Sequence, residues 1–218
     1  MPLSNEELFE ALDTVISIPP IPFNDAGAID YDGHGRNIDY LLANNDLDGG
    51  RQRVLCVAGT SLIHHLAADE QLRLMEFTTQ RIAGRGIFIA GIAPNPLAEA
   101  ERLIESQSRL THPPDAFLLM PLTGVADPEG IYHGYMALGK RLASSGARFL
   151  YYLRQDRETQ TAVRLLNESA QFVGIKVGTV PDDVKPIVEQ VPAEAGVVIW
   201  GVGDRSTAPA VAGAKGHT

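Results

Sequence analysis

The chain has little cysteine, no excess of positive charge and no long apolar run, and each shortage excludes a class of protein. Cys56 is the one cysteine in 218 residues, so neither an internal disulfide nor a thiolate metal site can form. Eighteen Lys and Arg stand against 27 Asp and Glu, a formal charge of −9 that repels a phosphate backbone. Nucleic acid is therefore not an expected partner. No window holds eighteen consecutive apolar residues, and Met1 to Glu10 carries acids where an export signal needs a basic start and an apolar run. No membrane association is expected, and the cytoplasm is the default compartment.

The composition that remains, 44% hydrophobic and 21% charged, describes one globular domain with a sizeable core. Short apolar runs bounded by Gly, Pro or Asp alternate with longer segments of helical spacing. Strands are expected at Val15 to Ile21, Val54 to Ala58, Ile87 to Ile92, Ala116 to Leu122, Arg148 to Leu153, Phe172 to Lys176 and Val197 to Gly201. Helices are expected near Asp30 to Ala43, Ala68 to Ala83, Pro96 to Ser108, Pro128 to Ser144, Glu158 to Ser169 and Asp182 to Gln190, with Asp69, Asp127, Asp156 and Asp182 where N-caps would fall. A further amphipathic segment, Asn5 to Leu12, is expected to cap one end of the sheet. Strict alternation at about 30-residue spacing implies parallel pairing, because a crossover helix returns the chain to the same end of the sheet. The strands read as nearly unbroken apolar runs, as in a parallel sheet covered on both faces. The class is α/β, and periodicity alone does not separate a closed barrel from an open sheet.

Functional groups of such folds collect at the C-terminal ends of strands. After the second strand come Gly59, Thr60 and Ser61, whose amides and hydroxyls could hold a carboxylate or simply make a tight turn. The fifth strand ends Tyr151-Tyr152-Leu153-Arg154, and period-two alternation puts Tyr152 and Arg154 on one face, as a proton relay beside an anion clamp or as a pair lying under a helix. The sixth strand closes on Lys176. A buried ammonium is costly, and burial that lowers its pKa makes an amine able to attack a carbonyl; the competing reading is a strand-end lysine that reaches solvent. Gly201 to Asp204, GVGD, lacks the third glycine of a dinucleotide fingerprint and follows the wrong strand for one. His64 and His65 have no third metal ligand at useful spacing, Tyr132, His133 and Tyr135 read as surface or interface residues of one helix, and Trp200 reads as core.

In this order the motifs resemble the dihydrodipicolinate synthase and N-acetylneuraminate lyase superfamily of class I aldolases. IPPIPFNDAGAID from Ile18 to Asp30 resembles the family's P-x-T-P-F start with its following D-G-x-I-D, and AGTSLIHHLAADE from Ala58 to Glu70 resembles G-G-T-G-E with L-x-x-D-E. FVGIK from Phe172 to Lys176 resembles the V-G-I-K that holds the Schiff-base lysine, and Gly201 to Asp204 with Gly213 to Gly216 resembles the closing G-x-D and G-A-x-G. The resemblance implies a TIM (β/α)8 barrel, no cofactor and no metal, and an imine between Lys176 and a pyruvate-like keto acid or keto sugar acid. It implies Tyr152 as proton relay, in preference to Tyr151, with Gly59, Thr60, Ser61, Arg154 and Gly201 around the substrate, and a homo-oligomer such as a homotetramer. Tyr152-x-Arg154 is most similar to the Y-N-R-D-N of the 5-dehydro-4-deoxyglucarate dehydratase branch.

The departures are equally specific. Ile21 stands for the threonine of T-P-F, Ser61-Leu62 for the G-E after the threonine, Val177 for the acid that often follows the lysine, and Leu122-Thr123 for a tyrosine pair. They keep open a non-catalytic ligand binder on the same barrel. A nucleotide-binding open sheet is the third reading. Measured against the family pattern, GAKGHT corresponds to the approach to strand eight. The expectation is one domain over 1–218, truncated at the start of strand eight, with about seven strands and with the eighth strand and following helices missing.

Overall fold

The computed structural model describes residues 3–122 and 126–218, without the Asp204 side chain. In chain order the elements are α1 (Asn5–Ala11), β1 (Ile16–Ser17), α2 (Tyr31–Ala43), β2 (Val54–Val57), α3 (Ala68–Ile82), β3 (Phe88–Ile92), α4 (Leu97–Ser108) and β4 (Ala116–Leu119). They continue with α5 (Pro128–Leu142), β5 (Phe149–Leu153), α6 (Thr159–Glu168), β6 (Phe172–Val177), α7 (Val184–Val188), β7 (Val197–Trp200), α8 (Thr207–Val211) and β8 (Gly216–His217). The strands pair in sequence order, all parallel. Helices from α2 onward are the crossovers that parallel pairing requires.

The sheet has an eighth strand, which corrects the expectation of seven. Gly216 and His217 pair with Ile199 and Trp200 of β7, His217 bridges to Val15, and its amide donates to the Thr14 carbonyl at 3.0 Å. The barrel thus closes between β8 and the residue before β1, leaving no seam of unpaired edges there. A two-residue Gly-His strand carries no apolar run for periodicity to detect. Its glycine is required by space: a Cβ on Gly216 would stand 2.6 Å from the Leu12 carbonyl oxygen and 3.2 Å from both Ile16 Cδ1 and Ile199 Cγ1. The first strand is also shorter than Val15 to Ile21, because Pro19 and Pro20 have no N–H for the ladder.

The α1 helix lies across the N-terminal end of the barrel. Ser4 and Glu7 form a capping box, Leu8 and Leu12 are fully buried, and Arg148 at the entry to β5 donates to the Leu3 carbonyl at 2.8 Å. Outward rings of neighbouring strands meet, Phe149 with Phe172 at 5.4 Å, and Phe172 meets the helix layer stacked on Tyr135 of α5 at 6.1 Å. This corrects the placement of Tyr132 and Tyr135 on the surface: both are buried, because α5 turns that side onto β5 and β6, while His133 stays exposed. Among the four aspartates expected as caps, Asp127 caps α5 by accepting from the Gly130 amide at 2.9 Å. Asp69 instead lies in the first turn of α3, and Asp156 and Asp182 lie in single 3₁₀ turns before α6 and α7. Asp30 caps α2, accepting from the Gly33 amide.

Between α2 and α3, His34 is fully buried with Nε2 2.9 Å from Thr78 Oγ1. The Thr78 hydroxyl donates to the Leu74 carbonyl, so His34 Nε2 carries the proton and donates to Thr78. Burial pushes the imidazole down to about 4. The fold favours neutral His34, whereas the unfolded chain takes a proton near 6.5. Its contribution is therefore present above pH 6.5 and lost as the pH falls toward 4, at most about 3 kcal/mol. Urea unfolding at pH 7.5 and 4.5 is expected to show this loss, and His34→Gln to remove that part of the pH dependence. In the same assay at pH 7.5, Gly216→Ala is expected to destabilise by about 1–3 kcal/mol through the jammed closure strand.

Candidate functional site

Three neighbouring strands bring the inward-facing residues of the site level with one another. Tyr152 of β5 pairs with Lys176 of β6, which pairs with Ile199 of β7. Period-two alternation sends these side chains to the barrel interior and sends Tyr151 and Val177 outward. Lys176 is 5% exposed, and its Nζ stands 4.6 Å from the centre of the Tyr152 ring. No carboxylate among the described residues lies within 4.0 Å of it. Burial drives the amine below its ordinary value of 10.5; Cys56, across the barrel interior on β2, opposes that shift, and the Arg154 guanidinium reinforces it. The Cys56 thiol is itself pushed up to about 12 by burial, so it is neutral at ordinary pH and opposes the lysine's shift only where it ionises.

The lysine has room because two strand ends lack side chains. A Cβ on Gly201 would lie 2.9 Å from Lys176 Cε, and a Cβ on Gly178 would lie 2.7 Å from Tyr152 Cε2 and 3.0 Å from Arg154 Cδ. Sequence reading reached Gly201 but missed Gly178, whose signal was available: it stands two residues past Lys176, on the same face of the chain. Arg154 is exposed at the end of β5. It donates to the Gly178 carbonyl at 2.8 Å, and its guanidinium stands 5.7 Å from the Tyr152 ring. One of its five donors is thereby used, and the remainder suit an anionic group at the mouth.

Gly59, Thr60 and Ser61 form a 3₁₀ turn at the end of β2. A Cβ on Gly59 would lie 2.7 Å from Cε of Met120, which brings this turn against the end of β4. Thr60 is exposed there. The Ser61 hydroxyl is fully buried and donates to the Pro19 carbonyl at 2.7 Å, so it ties the β2 loop to the β1 loop and does not face the mouth. Leu62, which follows, holds φ 61° and ψ 26°, a conformation that costs a branched residue about 1 kcal/mol or more, and it is 43% exposed. Thr123, second of the pair that stands for the family tyrosines, lies outside the described residues, whereas Leu122 is part-buried.

Tyr151 does not enter the site. Its ring is 4% exposed on the outer face of β5, edge-on to Tyr135 at 5.9 Å, and its hydroxyl donates to Glu158 Oε2 at 2.9 Å. Sequence reading also missed Glu158, a carboxylate buried to 1% exposure at the start of α6. His64 and His65 are exposed, and no group of three or more His, Cys, Asp and Glu among the described residues could hold a metal ion. Trp200 is core. A broad cleft of about 1120 Å³ opens at the other end of the barrel, lined by residues such as Leu3, Asp115, Arg148 and Gln171, and neither Lys176, Tyr152, Arg154 nor Thr60 lines it.

No helix among the described residues is long and apolar enough to cross a membrane. No family model matches the chain. It is 27% identical over 162 residues to a 4-hydroxy-tetrahydrodipicolinate synthase of Gluconacetobacter diazotrophicus, covering 72% of this chain and 52% of that protein. It is 26% identical over 166 residues to a probable 5-dehydro-4-deoxyglucarate dehydratase of Oceanobacillus iheyensis, covering 75% and 50%. The chain thus spans about half the length of these curated relatives. In fold it matches the dihydrodipicolinate synthase of Aquifex aeolicus with a TM-score of 0.81 at 23% identity, over 93% of this chain and 68% of that one. The N-acetylneuraminate lyase of Mycoplasma synoviae gives a TM-score of 0.81 at 18% identity, over 96% and 69%. The ordered motifs, the parallel eight-stranded barrel and these relatives agree, and together they support a likeness of the chain to the dihydrodipicolinate synthase and N-acetylneuraminate lyase superfamily.

Proposed function

We propose that this chain carries the centre of a Schiff-base lyase acting on a small α-keto acid or keto sugar acid. The observation that carries the reading is Lys176: a buried amine without a carboxylate partner among the described residues, faced by a tyrosine and an arginine. Its neutral form attacks the keto carbon of the substrate, and the carbonyl oxygen takes one proton from the attacking nitrogen and a second from an acid and leaves as water. The protonated imine that results withdraws electrons from the adjacent carbon, where a C–C bond is made or broken or a hydroxyl is expelled. The Tyr152 phenol is placed to carry protons to and from these atoms. The Gly59–Thr60 turn would hold the carboxylate of the keto acid, and Arg154 would hold an anionic group at the mouth. Gly201 contributes space for the lysine side chain. The synthase and dehydratase among the relatives support this reading.

A non-catalytic binder on the same barrel is the second reading. It is favoured by Ser61, whose hydroxyl is spent on Pro19, and by Leu62 and Leu122 at positions where the family carries an acid and a tyrosine. Borohydride reduction with pyruvate and a panel of larger keto acids separates the two. The enzyme reading predicts a reduced adduct on Lys176, located by peptide mass mapping, that is absent in Lys176→Ala. Thermal stabilisation by the same acids that survives in Lys176→Ala, with no adduct in the parent chain, would favour the binder. Tyr152→Phe is expected to slow adduct formation about a hundredfold while leaving the melting temperature nearly unchanged.

A further inference from the structure

The outer face of β5 holds a buried carboxylate that the proposed chemistry does not use. Glu158 stands at the junction of the β5–α6 loop and α6, 1% exposed. Its Oε2 accepts from the Tyr151 hydroxyl at 2.9 Å, and its Oε1 is buried with no hydrogen-bond partner among the described residues. Tyr135 and Tyr151 both have their phenols pushed above the ordinary range by burial, and Glu158 adds to the shift in each. Burying a carboxylate for a single hydrogen bond is costly, and an apolar residue among these rings would be the cheaper way to fill the space. What the polar pair supplies and an apolar residue could not is a fixed geometry.

That geometry reaches the site through the backbone. Tyr151 and Tyr152 are adjacent and point to opposite faces of β5, so any rotation of the strand end that releases Tyr151 also turns Tyr152 away from Lys176. The Tyr151–Glu158 hydrogen bond joins residues seven apart and closes a ring of chain containing Arg154. Inside that ring, the Glu158 amide donates to the Gln155 carbonyl at 2.9 Å, and Arg157 Nε donates to Gln155 Oε1 at 2.7 Å. The loop is therefore braced from within, with Arg154 at its open side bonded to Gly178.

We infer that Glu158 is a positioning residue: through the Tyr151 hydroxyl it locks the end of β5 and the 154–157 loop, so that Tyr152 and Arg154 face Lys176. The inference deepens the reading of Lys176 as nucleophile and rests on that reading in only one of its two tests. The groups that face Lys176 are Tyr152 and Arg154 from β5 and its loop and Cys56 from β2, and the lock acts on the first two.

The experiment uses the full chain with Tyr151→Phe, Glu158→Ala and Glu158→Gln. The glutamine keeps an acceptor for the Tyr151 hydroxyl and is the conservative rescue. One readout is the rate of borohydride trapping on Lys176 with pyruvate. The other is the acetylation rate of Lys176 by acetic anhydride across pH, which requires no catalysis. Melting temperatures establish that each variant is folded. Tyr151→Phe and Glu158→Ala are expected to trap at least about fivefold more slowly than the parent, with the pH profile of acetylation displaced, and Glu158→Gln is expected to restore both. If the parent forms no adduct with any keto acid, the nucleophile reading falls and the acetylation profiles alone decide the positioning role. Folded Tyr151→Phe and Glu158→Ala chains with parental acetylation profiles would overturn it. So would a Glu158→Gln chain as impaired as Glu158→Ala.

Discussion

The burial of one ammonium group is the constraint on which the rest of this structure turns. Lys176 sits next to the C-terminal end of a strand that is otherwise apolar, and the barrel wall around it offers no carboxylate among the described residues. A group in that position stays charged only at considerable cost, so the fold holds it toward the neutral amine. Around it stand an aromatic face, a thiol kept neutral by burial, and a guanidinium that disfavours a second positive charge. Gly178 and Gly201 then matter because they leave the lysine and its tyrosine the space to meet.

Closure of the barrel makes that environment possible. An open parallel sheet would leave its edge strands and the strand-end groups to water. Here a strand of two residues seals β7 to β1, and α1 covers the N-terminal end. The tolerance at the seal is small, since Gly216 threads between the Leu12 carbonyl and two isoleucines. The polar mouth at the C-terminal ends of the strands and the packed interior below it are therefore two consequences of one topology.

What the sequence made legible follows from signals local in the chain. Unbroken apolar runs such as Phe88–Ile92 announce strands covered on both faces, and a lysine ending such a run announces a special environment. Alternation along Tyr151-Tyr152 puts the two phenols on opposite faces, and the neighbours, Lys176 on one side and Tyr135 on the other, decide which is inward. The features that escaped depend on partners far away in sequence. Gly216–His217 becomes a strand only because β7 and the chain before β1 leave a slot for it. Ser61 looked like a ligand-facing hydroxyl, yet its position is decided by Pro19, 42 residues earlier. Tyr135 looked like a surface residue until Phe172 and Tyr151 met it beneath α5. Glu158 was invisible for the same reason, since nothing local distinguishes a buried acid from the exposed Asp156 and Arg157 beside it.

The most direct test of the account is titration of the Lys176 ε-amine itself, followed by NMR in the full chain carrying isotope-labelled lysine and assigned with Lys176→Arg. The account predicts a midpoint clearly below 10.5, because burial and Arg154 both disfavour the charged form, and a rise toward that value when Arg154 is replaced by glutamine. A Lys176 that titrates at or above 10.5 would contradict it, since the amine would then be an ordinary solvated cation and the barrel interior would not be the environment described.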